Sequence, residues 1–187
     1  MKTRFQHAYV LNIMSDDHPG IISAVSSAVA RLGGNIELAS QTVVGGYFTL
    51  IMVVSLPAPV DPGALAAEVR GPEAGGARQV VARPYVAVPA PQQPVGRFVV
   101  TAFGADKPGI IARFSRYLAG KDINITDFYW SRHGNDFVMI SQVEIPEGAD
   151  FHLLQADFEE IGRDEGFTVK LQHENVFVAT NQLRLAR

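Results

Sequence analysis

The feature that most constrains this chain is an internal repeat. Sliding the 187-residue sequence against itself by 89 positions aligns residues 9–57 with residues 98–146 without a gap, and fifteen of these 49 positions are identical. A unit of under about 100 residues is long enough to bury a core of its own. The repeat therefore predicts two domains of the same fold, arranged in tandem, rather than one large domain.

Each copy has the same order of hydrophobic patterns. A short apolar strand leads into an Asp-x-Pro-Gly turn, at Asp17 and again at Asp106, and apolar residues then recur at the period of about 3.6 typical of an amphipathic helix. An Asn-Ile pair opens a second strand, a two-residue turn leads into a third, and a further helix and strand follow. This order, β-α-β-β-α-β, predicts an α+β fold: two tandem ferredoxin-like domains, each a four-stranded antiparallel sheet with two helices on one face.

The domain boundary is predicted where the proline content rises. Four prolines fall between residues 83 and 96, and they favour extended backbone over helix. We therefore predict a first domain at 1–88, a proline-rich linker at 89–96, a second domain at 97–175 and a C-terminal extension at 176–187. The extension is expected either to dock on a partner subunit or to fray.

Composition excludes several classes of function. The formal net charge is −3 and no Lys/Arg run is longer than a pair, so direct nucleic-acid binding is not expected. No apolar stretch is long enough to span a bilayer, which predicts no membrane contact and a cytoplasmic location. The chain has no cysteine, its five histidines lack paired ligand spacing, and no nucleophile motif is present. We expect no catalytic residue, no metal, no cofactor and no enzymatic activity.

The repeated turn has a structural and a functional interpretation. With Asp17 or Asp106 as helix N-cap, the following Pro and Gly would occupy the second and third helical positions, which is a well-formed helix start. The glycine would also let a ligand approach, and the free amides behind it, those of Ile21, Ile22, Ile110 and Ile111, would suit a carboxylate. Asn35 and Asn124 offer amide donors and an acceptor for an amino acid, or serve as helix C-caps.

These patterns together resemble the ACT domain family. The residues that carry the resemblance are the Asp-x-Pro-Gly-Ile-Ile turn, the amphipathic helix, the Asn-Ile pair and the strand-turn-strand that follows, all present twice. Among tandem proteins of this size, the chain is similar to the glycine cleavage system transcriptional repressor group. The resemblance implies that the two domains pair side by side and bind an amino acid, such as glycine or serine, between them.

The resemblance also implies two sites, each using the turn of one domain and the asparagine of the other. One site would combine Asp17, His18, Pro19, Gly20 and Ile21 with Asn124 and Ile125; the other would combine Asp106, Lys107, Gly109 and Ile110 with Asn35 and Ile36. His18 aligns with Lys107, and Glu37 aligns with Thr126. We therefore hypothesise that the sites are unequal and that a ligand prefers one of them.

The predicted function is that of an amino-acid-binding regulator. The repressor group implies regulation of transcription in glycine or one-carbon metabolism through a protein partner, either a transcription factor or an enzyme. A homodimer of the chain is a further possible assembly. One alternative is a ligand-independent regulatory or scaffold subunit of a metabolic enzyme, and another is a fragment of an enzyme that carries such domains. The aromatic run at 128–130 is expected either to form an interface on the open sheet face or to cover the chain's own neighbouring segments.

Overall fold

The computed structural model describes residues 2–71, 78–87 and 95–178. The chain divides into two compact units, Met1–Pro89 and Ala90–Arg187. We refer to these units as the first and the second domain.

The first domain contains four strands and two helices in the predicted order. They are β1 (His7–Asp16), α1 (Ile21–Arg31), β2 (Asn35–Val44), β3 (Tyr47–Leu56), α2 (Pro62–Arg70) and β4 (Gln79–Pro84). The strands form one antiparallel sheet in the order β2-β3-β1-β4. The first and last strands of the domain are therefore neighbours, as the split βαβ arrangement requires.

The second domain repeats this plan. Its elements are β5 (Val95–Ala105), α3 (Ile110–Gly120), β6 (Asn124–His133), β7 (Asp136–Pro146), α4 (Phe151–Glu165) and β8 (Phe167–His173), and its sheet order is β6-β7-β5-β8. The prediction of two tandem ferredoxin-like domains is confirmed. The two-residue hairpin turns are also as predicted, since Gly45, Gly46 and Gly134 all have the positive φ that primed turns need.

One face of each sheet is covered by its two helices. In β1 the alternate residues Tyr9, Leu11 and Ile13 are buried, and they pack against residues of α1 and α2 in one apolar cluster. A matching cluster in the second domain places Phe114 of α3 against Phe158 of α4, and their rings stack with centroids 5.6 Å apart. The period-two alternation of the strands thus sets which side chains face the helices.

The helix start predicted at the Asp-x-Pro-Gly turn is wrong by three residues. The residue that precedes α1 is Gly20, not Asp17, and the residue that precedes α3 is Gly109, not Asp106; neither helix has a side-chain cap. Both glycines are left-handed, with φ of 97° and 95°. The aspartate amides bond elsewhere: Asp17 donates to the Gly46 carbonyl at 2.9 Å and Asp106 to the Asn135 carbonyl at 2.7 Å.

Aspartate caps occur at the other helix of each domain. Asp61 accepts a hydrogen bond from the Ala64 amide at the start of α2, and Asp150 accepts from the His152 and Leu153 amides at the start of α4. The physical reason for the difference is the hairpin turn beside the Asp-x-Pro-Gly segment. Because that hairpin binds the aspartate amide, the chain needs three more residues, ending in a left-handed glycine, before the helix begins.

The aromatic run at 128–130 divides between the two faces of the second sheet. Trp130 lies on the helix side, where its ring stacks on Phe137 at 4.3 Å between centroids. Phe128 pairs with the buried Ser141, which places it on the same side, and it is 37% exposed. Tyr129 lies on the open face, opposite Ile140, and is 55% exposed. Only one of the three aromatic residues is therefore available to an interface on the open face.

The predicted linker and extension fall largely outside the described residues. Of the linker at 89–96, only Val95 and Gly96 are described, and both already belong to β5. Of the extension at 176–187, residues 179–187 lie outside the description, and residues 174–178 form a single helical turn after β8. In the described part of the chain, no helix is long and apolar enough to cross a membrane.

Candidate functional site

The turn after the first strand of each domain leaves a helix start open to solvent. The first backbone hydrogen bond of α1 runs from the Ala24 amide to the Gly20 carbonyl, and that of α3 runs from the Arg113 amide to the Gly109 carbonyl, both at 2.9 Å. Within the described residues, the three preceding amides of each helix therefore have no acceptor. They belong to Ile21, Ile22 and Ser23 in the first domain, and to Ile110, Ile111 and Ala112 in the second.

The chemistry of these two helix starts favours an anion. Three amides at the N-terminus of a helix, together with the positive end of the helix dipole, form a standard acceptor for carboxylate or phosphate oxygens. The shift of the cap to glycine adds the amides of Ser23 and Ala112, which the sequence analysis did not include. It also means that no aspartate side chain competes with an external anion for these amides.

The glycine itself serves the backbone conformation. A side chain at Gly20 or at Gly109 would meet nothing within 4 Å, but both residues have the left-handed φ that other residues adopt at a cost. The two isoleucines that follow each glycine differ in burial. Ile21 and Ile110 are buried in the two cores, so only their backbone amides face the turn. Ile22, at 51% exposed, is the apolar side chain next to those amides in the first domain.

The side chains of the two turns have different partners. In the first domain, His18 turns its Nδ1 to the Pro19 carbonyl at 2.9 Å, within its own turn. In the second domain, the Lys107 ammonium group lies beside Gly166, the cap residue that follows α4, where a cation is favoured by the helix dipole. The Asp106 Oδ2 atom also lies 3.9 Å from the Arg132 Nη1 atom. The first domain has no such pair, because the counterpart of Arg132 is Val43. The two turns are thus chemically unequal.

The predicted asparagines are already engaged through their amide donors. Asn35 Nδ2 donates to the Ile36 carbonyl at 3.2 Å and to Glu37 Oε1 at 3.1 Å, while Asn124 Nδ2 approaches Glu144 Oε2 at 3.4 Å. Neither residue caps a helix, because each is the first residue of a strand. In the described part of the chain the amide oxygens have no donor, so the asparagines are arranged to accept from a group such as an ammonium.

Glu37 organises the asparagine of the first domain, and sequence reasoning gave it no such role. Its Oε1 accepts from Ser55 Oγ at 2.5 Å, from the Arg4 amide at 2.9 Å and from Asn35. The Ser55 hydroxyl contributes most, with the Arg4 and Asn35 donors, to holding the pKa of Glu37 below its usual value. The second domain has Thr126 at the Glu37 position, so it lacks this arrangement. In the sequence, the feature that indicates this hydrogen bond is a glutamate two residues after the asparagine.

The turn and the asparagine of one domain lie at opposite ends of its sheet. Asn35 pairs with Ser55, and Ser55 pairs with Ala8, which is nine residues along the chain from Asp17. At about 3.4 Å per residue, roughly 30 Å separates the two features. The second domain has the same register, since Asn124 pairs with Glu144 and Glu144 pairs with Arg97. A single domain therefore cannot supply both halves of one small-molecule site.

Ile36 and Ile125 lie beside the asparagines and differ in burial. Ile36 is 37% exposed, whereas Ile125 packs against the core of the second domain. In β2 and β6 alike, a β-bulge follows the isoleucine, between Ile36 and Leu38 and between Ile125 and Asp127. Bulges redirect side chains at the end of an edge strand, which places Glu37 and Thr126 outside the regular alternation.

Fold and site together define the class of protein. The chain consists of two ferredoxin-like α+β domains in tandem, each with an uncapped helix start suited to an anion and an asparagine at the far end of the sheet. Among the described residues no group of three or more acidic or histidine side chains is placed to hold a metal ion.

Comparison with known proteins identifies the family. Residues 9–70 and residues 96–172 each match the ACT domain. The chain belongs to the ACT domain family and is a regulatory protein with two ACT domains in tandem. A UPF0237 protein of Methanococcus maripaludis is 38% identical over 80 residues, covering 42% of this chain and 89% of the relative. A UPF0237 protein of Methanocaldococcus jannaschii is 37% identical over 84 residues, covering 44% and 93%.

Two solved structures share the fold along most of the chain. An unknown protein from Galdieria sulphuraria is 23% identical with a TM-score of 0.69, covering 89% of this chain and 98% of that one. A candidate glycine cleavage system transcriptional repressor is 19% identical with a TM-score of 0.61, covering 89% and 96%. At these identities the likeness describes the fold.

Proposed function

We propose that this chain is an amino-acid-binding transcriptional regulator of glycine or one-carbon metabolism, and that it acts through a protein partner. The observation that carries the proposal is the pair of uncapped helix starts that follow the repeated turns. Each presents three backbone amides without an acceptor among the described residues, which is the arrangement a ligand carboxylate needs. The asparagine oxygens supply the complementary acceptors for its ammonium group.

The proposed sites combine two domains, because one domain holds the two features roughly 30 Å apart. In the first proposed site Asp17, His18, Pro19, Gly20 and Ile21 act with Asn124 and Ile125; in the second, Asp106, Lys107, Gly109 and Ile110 act with Asn35 and Ile36. Side-by-side pairing of the domains, within one chain or in a homodimer, would bring these halves together. Glycine and serine are the proposed ligands because neither needs a large side-chain pocket.

Charge supports action through a partner. A net charge of −3 provides no general attraction for the phosphate backbone, so a regulator of transcription with this composition needs a transcription factor or an enzyme as its target. The solved structure described as a candidate glycine cleavage system transcriptional repressor points to the same metabolic area. This role places the protein in the cytoplasm, and it requires neither catalysis nor a cofactor.

A thermal-shift experiment on the full chain tests ligand binding. Glycine or serine at ten times its dissociation constant should stabilise the protein by about 1.4 kcal/mol. Asn35→Ala and Asn124→Ala should each remove one site, and the variant that loses the shift identifies the preferred site. Asn12→Ala is the matched control, because Asn12 is an exposed asparagine in the middle of β1. Equal loss in the control and the test variants would contradict the assignment.

A specific observation favours the alternative of a ligand-independent regulatory or scaffold subunit. The open face of the first sheet carries exposed apolar side chains on three of its four strands, among them Leu38 of β2 at 57%, Ile51 of β3 at 50% and Val81 of β4 at 65%. Exposed apolar surface of this kind is typical of protein interfaces. The absence of any thermal shift with all twenty amino acids, in a protein that still binds its partner, would favour this alternative over the proposed function.

A further inference from the structure

The second domain contains a cleft at the end of the sheet opposite its Asp-x-Pro-Gly turn. The cleft has a volume of about 260 Å³ and lies between the start of β5, the end of β7 and the start of α4. Phe98 and Phe151 form its aromatic wall, Ile145 and Leu154 are its aliphatic residues, and the loop at 147–149 closes one side. The cleft lies at the same end of the sheet as Asn124, which pairs with Glu144 beside Ile145, and far from the turn at Asp106.

The first domain fills the corresponding place with its own side chains. Tyr9, the counterpart of Phe98, is only 6% exposed, and its hydroxyl accepts a hydrogen bond from the Val60 amide at 2.8 Å. The Val60 side chain packs against the core. Tyr9 thus ties the loop before α2 to the sheet, and the partly buried Val60 side chain adds to the packing there.

Two replacements remove this arrangement from the second domain. Phe98 lacks the hydroxyl, and Ala149, the counterpart of Val60, lacks two carbon atoms. The Ala149 amide bonds instead to the Pro146 carbonyl at 3.2 Å, within its own loop. The loop therefore loses its anchor to the sheet and the space below it stays open. The offset of 89 residues also holds beyond the aligned region, because the helix caps Asp61 and Asp150 differ by the same number, so Val60 and Ala149 correspond.

The size of the cleft sets the size of its ligand. An apolar cavity of about 150 Å³ holds a benzene molecule, and pockets for drug-sized ligands begin near 300 Å³. A volume of about 260 Å³ is therefore suited to one ring with a short substituent.

The charged residues around the cleft indicate which charge the substituent carries. Among the described residues that line the cleft, Glu147 is the charged one. The nearby Asp150 carboxylate is already engaged by the His152 and Leu153 amides of α4. The rings of Phe98 and Phe151, with centroids 5.5 Å apart, present π-electron density that attracts cations. A positive group is therefore favoured, and a carboxylate is disfavoured.

We propose that the cleft between β5, β7 and α4 of the second domain is a binding site for a small apolar amine of single-ring size. The apolar body lies against Phe98, Ile145 and Leu154, and the ammonium group faces Glu147. None of the described residues that line the cleft belongs to the proposed amino-acid sites, and the proposal does not rest on them.

Nuclear magnetic resonance titration of the full chain tests the site with three probes of the same size. Benzylamine, benzyl alcohol and benzoate share one ring and differ in charge. Benzylamine should shift the amide signals of Gly96, Gly148 and Ala149 at the lowest concentration, benzyl alcohol at a higher one, and benzoate at none. Equal effects of all three probes, or no effect of any, would overturn the proposal.

Variants that copy the first domain provide the decisive comparison. Phe98→Tyr combined with Ala149→Val restores the residues that fill the space in the first domain, and should weaken benzylamine binding by about tenfold or more. Glu147→Gln keeps the shape and should weaken benzylamine by about threefold without affecting benzyl alcohol. Fluorescence of Trp130 checks that each variant is folded. Unchanged benzylamine affinity in folded variants would refute the site, whatever the outcome with glycine or serine.

Discussion

Three glycines of the second domain allow backbone strain and steric overlap to be separated. A side chain at Gly104 would place its Cβ 2.5 Å from the Phe167 Cβ and 2.7 Å from the Phe167 Cα, and Gly104 also has a φ of 155°. A side chain at Gly162 would meet the Phe167 carbonyl oxygen at 2.5 Å, but Gly162 has an ordinary helical backbone. Gly148 has a φ of 94° with nothing within 4 Å.

These differences give an order for the three alanine substitutions. Gly104→Ala combines overpacking of about 1–3 kcal/mol with backbone strain of about 1–3 kcal/mol, for a loss near 4 kcal/mol. Gly162→Ala has the overlap alone, offset by about 1 kcal/mol of helix propensity. Gly148→Ala has the strain alone, about 1–2 kcal/mol. In a domain of this size, a loss near 4 kcal/mol lowers the midpoint of thermal unfolding by about 20 °C.

The single tryptophan makes this measurement specific to the second domain. Trp130 stacks on Phe137, so its fluorescence reports whether the core of that domain is intact. Thermal unfolding of the three variants should be followed by this signal under identical conditions. If Gly104→Ala loses no more stability than Gly148→Ala, then Phe167 does not pack against β5 as closely as the structure has it, and the argument from steric overlap fails.

Three further predictions concern helix starts, pH and the inequality of the sites. Asp150→Ala should cost about 1 kcal/mol of unfolding free energy by removing a cap, whereas Asp106→Ala should cost less; equal losses in urea unfolding would contradict the cap assignment. Because the pKa of Glu37 is lowered on folding, its stabilisation is present above pH 4.5 and is lost as the pH falls through its folded pKa. Acid unfolding of Glu37→Gln should therefore be less steep than that of the parent protein. Isothermal titration with glycine or serine should show unequal affinities, and two identical sites would refute that hypothesis.

Several parts of this protein were predictable from local patterns in the sequence. The repeat predicted two domains of the same fold, and the Asn-Ile pairs predicted the starts of β2 and β6, at Asn35 and Asn124. The reason is that apolar periodicity and glycine turns act over a few neighbouring residues, where backbone preference and the choice of buried face are decided together. The order of elements then left the split βαβ arrangement as the simplest fold.

The details of the site depended on residues far apart in the sequence. Glycine, rather than aspartate, precedes α1 because the Asp17 amide is bound by Gly46 of the hairpin, 29 residues further along. Asn35 donates to Glu37, whose position is held by Ser55 and by the Arg4 amide from the start of the chain. A helix-start motif or an asparagine gives no information about such partners, because strand register decides them.

What the sequence by itself determined is the repeat, the fold of each copy and the chemical types available at the turn and the asparagine. The tertiary structure decided which groups remain free. It left the helix amides of Ile21 and Ile110 without a cap, and it engaged the donors of Asn35 and Asn124. Local sequence patterns determine the backbone conformation. Which donors and acceptors stay free for a ligand depends on the hydrogen bonds that distant segments make with each other.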